Sequence, residues 1–216
     1  MKNETKILIG IMVAVLVLLI GGVFFLSMGS PKVESIDGAS NTVYKIDYSK
    51  GHKIGSDSAK ARLVEFSDFQ CPACKGAEPF VKEILAKNNP NLQFIYRNYP
   101  LAQHSNAKAA ANAAEEAATQ GKFWEMHDKL FETQTQWESL PNPSDFFAKI
   151  ATELGLDGAK VKEATEKQKY SSLIQDDLND GNTAALNATP TFYLNGKKLE
   201  VSSFQGIVDA IDAATR

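Results

Sequence analysis

The two cysteines of this 216-residue chain lie in one short motif, Cys71-Pro72-Ala73-Cys74. An apolar run at residues 63–69 precedes the motif and a helical pattern follows it, so the thiols are predicted to lie where a buried strand meets a helix. Free N–H groups and the positive end of the dipole at a helix N-terminus favour a thiolate over a thiol. Such a cysteine is both a good nucleophile and a good leaving group. Pro72 suits the first helical position, where its missing N–H costs nothing. The motif therefore favours a reversible, redox-active disulfide.

Three other interpretations of the cysteine pair fit the sequence less well. Zinc needs about four ligands, and the remaining candidates His52, His104 and His127 are not at ligand spacing. A structural disulfide across so short a loop would restrict the unfolded chain very little. Two inert thiols would not explain a proline between them at a helix start. We therefore expect no metal and no cofactor beyond the redox-active disulfide itself.

The N-terminal segment is predicted to be a membrane anchor. Residues 7–26 carry no charged or amide side chain, and about 20 apolar residues span a bilayer as a helix. Lys2 and Lys6 precede this segment, whereas the first charge after it is Lys32. Residues 1–6 are therefore expected in the cytoplasm and the rest of the chain outside it, in an oxidising setting. A cleaved signal peptide is the alternative, although its apolar region usually has only about 7–15 residues.

The remainder divides into a linker and one domain. Residues 27–50 are predicted to be a linker with a possible edge strand at 41–48, and residues 51–216 a single domain. The net charge of −3 comes without a visible basic patch, which argues against nucleic acid as a partner.

Within the domain, the hydrophobic pattern predicts α/β architecture with a mixed sheet and a large helical insertion. Residues 51–58 are predicted to be a turn. Ser144 and Asp157 are predicted to cap helices, and Asn195-Gly196 is a strong hairpin signal. The predicted elements, in chain order, are a strand at 62–69, a helix at 72–87, a strand at 92–98, a helical insertion at about 103–186, a hairpin at 191–201 and a helix at 203–213.

Three segments of the chain resemble one known family. Residues 63–74, LVEFSDFQCPAC, resemble the active-site segment of DsbA-like thiol–disulfide oxidoreductases. Residues 123–131 are similar to the insertion-domain helix of that family, and residues 188–196 to its proline loop and terminal hairpin. The resemblance extends from about residue 55 to the C-terminus, and the anchored layout resembles members of the BdbD type. It implies a thioredoxin-like fold preceded by a transmembrane helix.

The resemblance also implies a substrate-binding loop. It implies that the Thr189–Pro190 bond is cis and packs against the CxxC motif, so that Thr189, Pro190, Pro72 and Ala73 contact substrate. A proline of the ordinary kind at a strand start is the alternative. Ala188 departs from the family, because many relatives have glycine there.

Glu65 is a further candidate because it lies in the middle of the apolar strand. Burial should raise the pKa of this carboxyl, and the resemblance makes it the proton acceptor for Cys74. The alternative is a glutamate at a strand edge that reaches solvent. His104 and His127 are expected to be helix-packing residues.

Together these features predict an extracytoplasmic thiol oxidase with Cys71 as the exposed nucleophilic sulfur and Cys74 as the buried resolving one. The resemblance implies that unfolded or thiol-containing exported proteins are the substrates. It also implies a membrane DsbB- or VKOR-like oxidase as the regenerating partner. A reductase or isomerase is one alternative, and Ala73, which brings no positive charge, predicts a milder oxidant. A tethered peptide-binding or chaperone module is the other.

Overall fold

A computed structural model describes residues 42–199 and 204–216 of the chain. In these ranges the five strands are β1 His52–Ile54, β2 Ala61–Ser67, β3 Leu92–Asn98, β4 Thr191–Leu194 and β5 Lys197–Lys198. The helices of the same ranges are α1 Pro72–Ala86, α2 Ala107–Thr119, α3 Phe123–Glu132, α4 Gln134–Trp137, α5 Ser144–Glu153, α6 Gly158–Glu166, α7 Ser171–Thr183 and α8 Phe204–Thr215.

The strands form one mixed sheet in the order β1-β3-β2-β4-β5. β2 and β3 are parallel, with Ala61 opposite Leu92 and Ser67 opposite Asn98, whereas the other neighbouring strands are antiparallel. β2 is central and is followed by α1, so the end of β2 brings the cysteine motif to the carboxyl edge of the parallel pair. The predicted mixed α/β sheet with helices in the insertion is confirmed.

The edge strand next to β3 is not where the sequence predicted it. Residues 41–48 were expected to form an edge strand and residues 51–58 a turn, but β1 lies at His52–Ile54 and pairs with β3. In the earlier segment Val43 makes one isolated bridge to Lys197. The prediction was wrong because Gly51, although it has the φ of +82° that suits a turn, lies directly against β3. This close approach lets the residues after Gly51 pair with β3 as a strand.

The hairpin prediction is confirmed. Asn195 and Gly196 have φ values of 50° and 81°, as a two-residue turn with both central residues left-handed requires. β5 ends at Lys198, shorter than expected.

One of the two predicted helix caps in the insertion is wrong. Asp157 accepts a hydrogen bond from the Lys160 N–H at 3.2 Å and precedes α6, as predicted. Ser144 is instead the first residue of α5. Pro143 occupies the N-cap position before it, so Ser144 lies one residue too late to be the cap. The Ser144 N–H donates to Asn142 Oδ1 at 3.0 Å, and its hydroxyl donates to Glu166 Oε1 at 3.1 Å.

The sheet has a hydrophobic core on each face. One face packs against α1, α8 and the insertion, whose alanine-rich α2 buries Ala110, Ala113, Ala114 and Ala117 completely. The opposite face carries a smaller core that includes Val64, Phe66, Ile95, Tyr99 and Tyr193. Successive β2 residues alternate between the two cores, as the pleat of a strand requires.

The predicted anchor at residues 7–26 lies outside the described residues, as does most of the 27–50 linker. Within residues 42–199 and 204–216, no helix has the length and apolarity needed to cross a bilayer.

Candidate active site

The cysteine motif occupies the junction that the sequence predicted. Cys71 is the N-cap of α1 and Pro72 is its first residue, with Cys71 in extended conformation. The Cys71 N–H donates to Asp68 O at 3.0 Å and the Lys75 N–H donates to Cys71 O at 3.1 Å. The first turn of α1 therefore starts on the backbone of Cys71 and directs free N–H groups toward its sulfur.

The two cysteines differ less in exposure than expected. Cys71 was predicted to be the exposed one, but it is only 6% exposed, against 1% for Cys74. The expectation of an exposed sulfur is wrong because the proline loop covers Cys71, whose thiol donates to the Thr189 carbonyl at 3.4 Å. Both thiols are free here, and the Cys71–Cys74 disulfide stays a prediction.

The surroundings of Cys71 favour its charged form. The Cys74 thiol contributes most to the low pKa of Cys71. Together with the nearby Thr189 side chain and the Cys74 and Ala73 N–H groups, which favour the thiolate, it outweighs burial and lowers this pKa to about 5. The Thr189 hydroxyl is buried and has no hydrogen-bond partner among the described residues. It is therefore free to donate to the sulfur once the sulfur is a thiolate.

Cys74 has the opposite electrostatics. Burial first, then its hydrogen bond to Cys71 and the charge of Glu65, raise the pKa of Cys74 well above its ordinary value. The Asp68 N–H donates to Cys74 Sγ at 3.5 Å. The pair thus consists of a thiolate at the helix N-terminus and a buried thiol behind it.

Glu65 lies in the centre of the sheet, opposite Tyr96 of β3 and Phe192 of β4. It is 3% exposed, so the alternative of a solvent-reaching glutamate at a strand edge is wrong. Burial raises the pKa of Glu65 to about 8, Ser67 lowers it, and the charge of Glu78 adds to the rise. A carboxyl with a pKa near 8 can both take up and release a proton close to neutral pH.

The proline loop is adjacent to the cysteines. The Thr189–Pro190 bond is cis, as the family resemblance implied. Thr189 is buried and faces Cys71, and Pro190 is half-buried directly before β4. Pro72 and Ala73 are exposed on the same motif. The predicted substrate-contacting residues therefore surround one sulfur atom.

Several polar residues at the site were missed from the sequence. Gln134 of α4 donates to Phe69 O at 2.7 Å and Cys71 O at 3.1 Å, so the insertion reaches the motif. His104 was expected to pack on a helix, but it lies in the loop before α2 and its Nδ1 bonds to Asp68 Oδ2 at 2.7 Å. The position of Asp68 directly after the strand was the available signal.

His127 is a packing residue, as expected, because it lies buried on α3 against Phe69 and Tyr96. With Glu78 and Asp128 it brings three ligand-type atoms within 4.8 Å of one another, a grouping that histidine spacing did not reveal. The Lys82 ammonium lies 3.3 Å from Glu78 and 3.1 Å from Asp128, so these carboxylates already have a cation.

The comparison with protein families agrees with this geometry. A family described as Thioredoxin matches residues 47–213. The chain belongs to this thioredoxin family and, within it, to the DsbA-like thiol–disulfide oxidoreductases.

Two solved structures illustrate the likeness. BdbD from Bacillus subtilis, in its oxidised form, is 25% identical with a TM-score of 0.70 and covers 81% of this chain and 97% of its own. Alpha-DsbA1 from Wolbachia pipientis, at 17% identity and a TM-score of 0.68, covers 79% and 93% and shares the fold.

Among curated proteins, the Na(+)/H(+) antiporter NhaA 1 of Salinispora arenicola is 32% identical over 185 residues. The match covers 83% of this chain but only 28% of the antiporter. The chain therefore spans between a quarter and a third of the length of that relative.

Proposed function

We propose that this chain is an extracytoplasmic protein thiol oxidase that works by disulfide exchange through Cys71 and Cys74. The observation that carries the proposal is the asymmetry of the two sulfurs. The pKa of Cys71 is lowered to about 5, while that of the buried Cys74 is raised. A stabilised Cys71 thiolate favours the reduced form of the pair, which makes the oxidised form an oxidant.

In the first step, a substrate thiolate attacks the Cys71 sulfur of the Cys71–Cys74 disulfide. A bond forms between the substrate sulfur and Cys71, the bond between the two cysteines breaks, and Cys74 leaves with the electron pair. Because its pKa is high, the Cys74 thiolate takes up a proton. Glu65, whose pKa of about 8 keeps it largely protonated at neutral pH, is the donor.

In the second step, another substrate thiolate attacks the substrate sulfur of the mixed disulfide. The two substrate sulfurs join, and Cys71 leaves as a thiolate. Substrate loses two electrons and the cysteine pair gains them. A leaving group of low pKa departs faster, so a Cys71 pKa of about 5 favours this step.

Regeneration requires the opposite proton movement at Cys74. The buried thiol must lose its proton before it can attack a mixed disulfide at Cys71, and ionised Glu65 is the acceptor. We propose a membrane DsbB- or VKOR-like oxidase as the partner that takes the electrons, with residues 7–26 anchoring the catalytic domain on the outer side of the membrane. No cofactor other than the cysteine pair enters these steps.

Substrate contact is proposed for the surface around Cys71. The Thr189 carbonyl lies at the Cys71 sulfur, the cis Thr189–Pro190 bond directly precedes β4, and Pro72 and Ala73 are exposed on the cysteine motif. We propose that an unfolded substrate chain pairs with the backbone of Thr189 as an added strand, which is a sequence-tolerant way to bind peptides. This suits exported proteins that still carry free thiols.

Reduction is the competing direction. A reductase is expected to have a potential near that of thioredoxin, about −270 mV, and a strong oxidase one near −120 mV. The low pKa of Cys71 favours the oxidase, whereas Ala73, which brings no positive charge to the thiolate, leads us to propose a milder oxidant.

Trapping of mixed disulfides tests the proposal. In Cys74→Ser, Cys71 is first converted to its mixed disulfide with glutathione. A substrate thiolate then attacks the Cys71 sulfur and expels glutathione as a thiolate. Because no Cys74 is present to resolve the new bond, covalent complexes with unfolded substrate proteins that carry one free thiol should accumulate on nonreducing gels. Cys71→Ser is the matched control and should form none and show no turnover. Failure of Cys74→Ser to trap any substrate, or full activity of the double Cys→Ala variant, would contradict the scheme and favour a peptide-binding module.

A further inference from the structure

The sulfur of Cys74 has a fixed hydrogen-bond donor in the loop between β2 and α1. The Asp68 N–H donates to Cys74 Sγ at 3.5 Å, and Cys74 is only 1% exposed. A hydrogen bond gains strength when its acceptor becomes charged. The Asp68 N–H therefore stabilises Cys74 most when Cys74 leaves as a thiolate. Holding this N–H close to the sulfur should make that step faster.

The carboxylate of Asp68 holds that N–H in place. Its side chain is fully buried. Oδ1 accepts from the Gln70 N–H at 2.8 Å, and Oδ2 accepts from the Leu101 N–H at 2.8 Å and from His104 Nδ1 at 2.7 Å. Asp68 thus joins the loop that carries the cysteines to the loop that precedes α2.

His104 is the one side chain among these three donors, since the other two are backbone groups. Its side chain is 19% exposed, so it closes the buried carboxylate from the solvent side. Removing its ring leaves Asp68 Oδ2 with a single donor and admits water beside it. Asp68 is then free to turn, and its N–H moves with it.

We infer that His104 is a positioning residue for disulfide exchange: through Asp68, it holds a backbone N–H on the sulfur of Cys74. The inference rests on the proposed exchange chemistry but not on its direction. The same N–H stabilises the Cys74 thiolate whether the disulfide is opening or closing. Opening and closing should therefore slow equally without His104, and the reduction potential should stay unchanged.

The test is the rate at which excess dithiothreitol reduces the oxidised protein, followed by acid quench. A dithiothreitol thiolate attacks Cys71, Cys74 departs, and the second dithiothreitol thiol completes the reduction. For His104→Ala we expect reduction about ten-fold slower at an unchanged reduction potential, since a hydrogen bond to a charged group contributes about this much. His104→Asn, whose amide nitrogen can replace Nδ1, should restore the rate.

His52→Ala is the matched control. His52 also bonds to a buried carboxylate, with Nε2 at 2.9 Å from Glu115, and has a similar side-chain exposure of 22%. It should lose thermal stability as His104→Ala does while keeping the wild-type rate. A His104→Ala rate equal to that of wild type, or an unrescued His104→Asn, overturns the inference. A wild-type potential near that of thioredoxin would instead overturn the oxidase direction, so the two failures are distinguishable.

Discussion

Cys71 and Cys74 are separated by two residues, yet their sulfurs have opposite acid–base properties. The helix start at Cys71 could be predicted from the sequence, because an apolar run, a proline and a helical pattern are local signals. The contribution of Thr189 to the low pKa of Cys71 could not be predicted from these local signals, because Thr189 reaches the site only through tertiary folding. The burial of Glu65 was predictable from its place in an apolar strand, whereas the role of Asp68 was not.

Glu65 should destabilise the fold as the pH rises. Burial raises the pKa of Glu65 from 4.5 to about 8, so between these values the unfolded chain ionises while the folded chain holds the proton. The stability cost therefore grows from about pH 4.5 and is complete above about pH 8. Glu65→Gln should raise the free energy of unfolding of the oxidised protein at pH 8 by several kcal/mol, since each pKa unit is worth about 1.4 kcal/mol.

Urea unfolding at acidic and alkaline pH measures this effect, with Glu83→Gln as the control because Glu83 is exposed on α1. The control should leave the unfolding free energy nearly unchanged throughout. A Glu65→Gln protein that is no more stable than wild type at alkaline pH would contradict the assigned burial cost.

The same variant should re-oxidise more slowly, because Cys74 loses its proton acceptor.

At the scale of elements, the sequence predicted the helices and strands correctly where neighbouring residues determine the conformation. β2, α1 and β3 lie within one or two residues of their predicted ends, and Asn195-Gly196 forms the expected turn. The predictions were wrong where a distant contact decides the conformation. β1 exists because a glycine-flanked segment pairs with β3. Ser144 is not a cap because the helix starts one residue earlier than predicted, and its hydroxyl instead donates to Glu166 of α6.

Gly51 tests the explanation of the β1 edge. Its φ is +82°, and a Cβ there would lie 2.5 Å from Tyr96 O and from Arg97 Cδ. Gly51→Ala should therefore lower the free energy of unfolding by at least about 2 kcal/mol, from the left-handed conformation and the clash together. Thermal and urea unfolding of the variant provide the measurement.

Gly76→Ala is the control for that substitution. Gly76 lies inside α1 and a Cβ there meets nothing within 4 Å, so alanine should stabilise the protein by about 0.5–1 kcal/mol. Equal stability of Gly51→Ala and wild type would show that β1 does not depend on this close approach.

At the scale of the whole molecule, buried charges join the helical insertion to the sheet. Arg97 of β3 is fully buried and pairs with Asp177 and Asp180 of α7, each at 2.6 Å. Breaking such a pair leaves an uncompensated buried charge, so these contacts fix where the insertion lies. The sequence could place the insertion between two strands but could not pair residues 80 positions apart.

That connection matters for the chemistry because the insertion also reaches the cysteine motif. Gln134 of α4 donates to Cys71 O, and the loop before α2 supplies His104 to Asp68. The thioredoxin core thus provides the helix N-terminus and the proline loop, and the insertion holds the segment between β2 and α1. The reactivity of Cys71 therefore depends on the helix N-terminus, the proline loop and the insertion together. The low pKa of Cys71 is the property that reports on this arrangement most directly.

Titration of the reduced wild-type protein by its ultraviolet thiolate absorbance measures that property most directly. Cys74 ionises far above Cys71, so the first transition reports on Cys71 alone. We expect a midpoint near pH 5, with the thiolate fully formed at neutral pH. A first midpoint near the ordinary thiol value of 9.0 would contradict the account, because Cys71 would then be neither a stabilised anion nor a good leaving group.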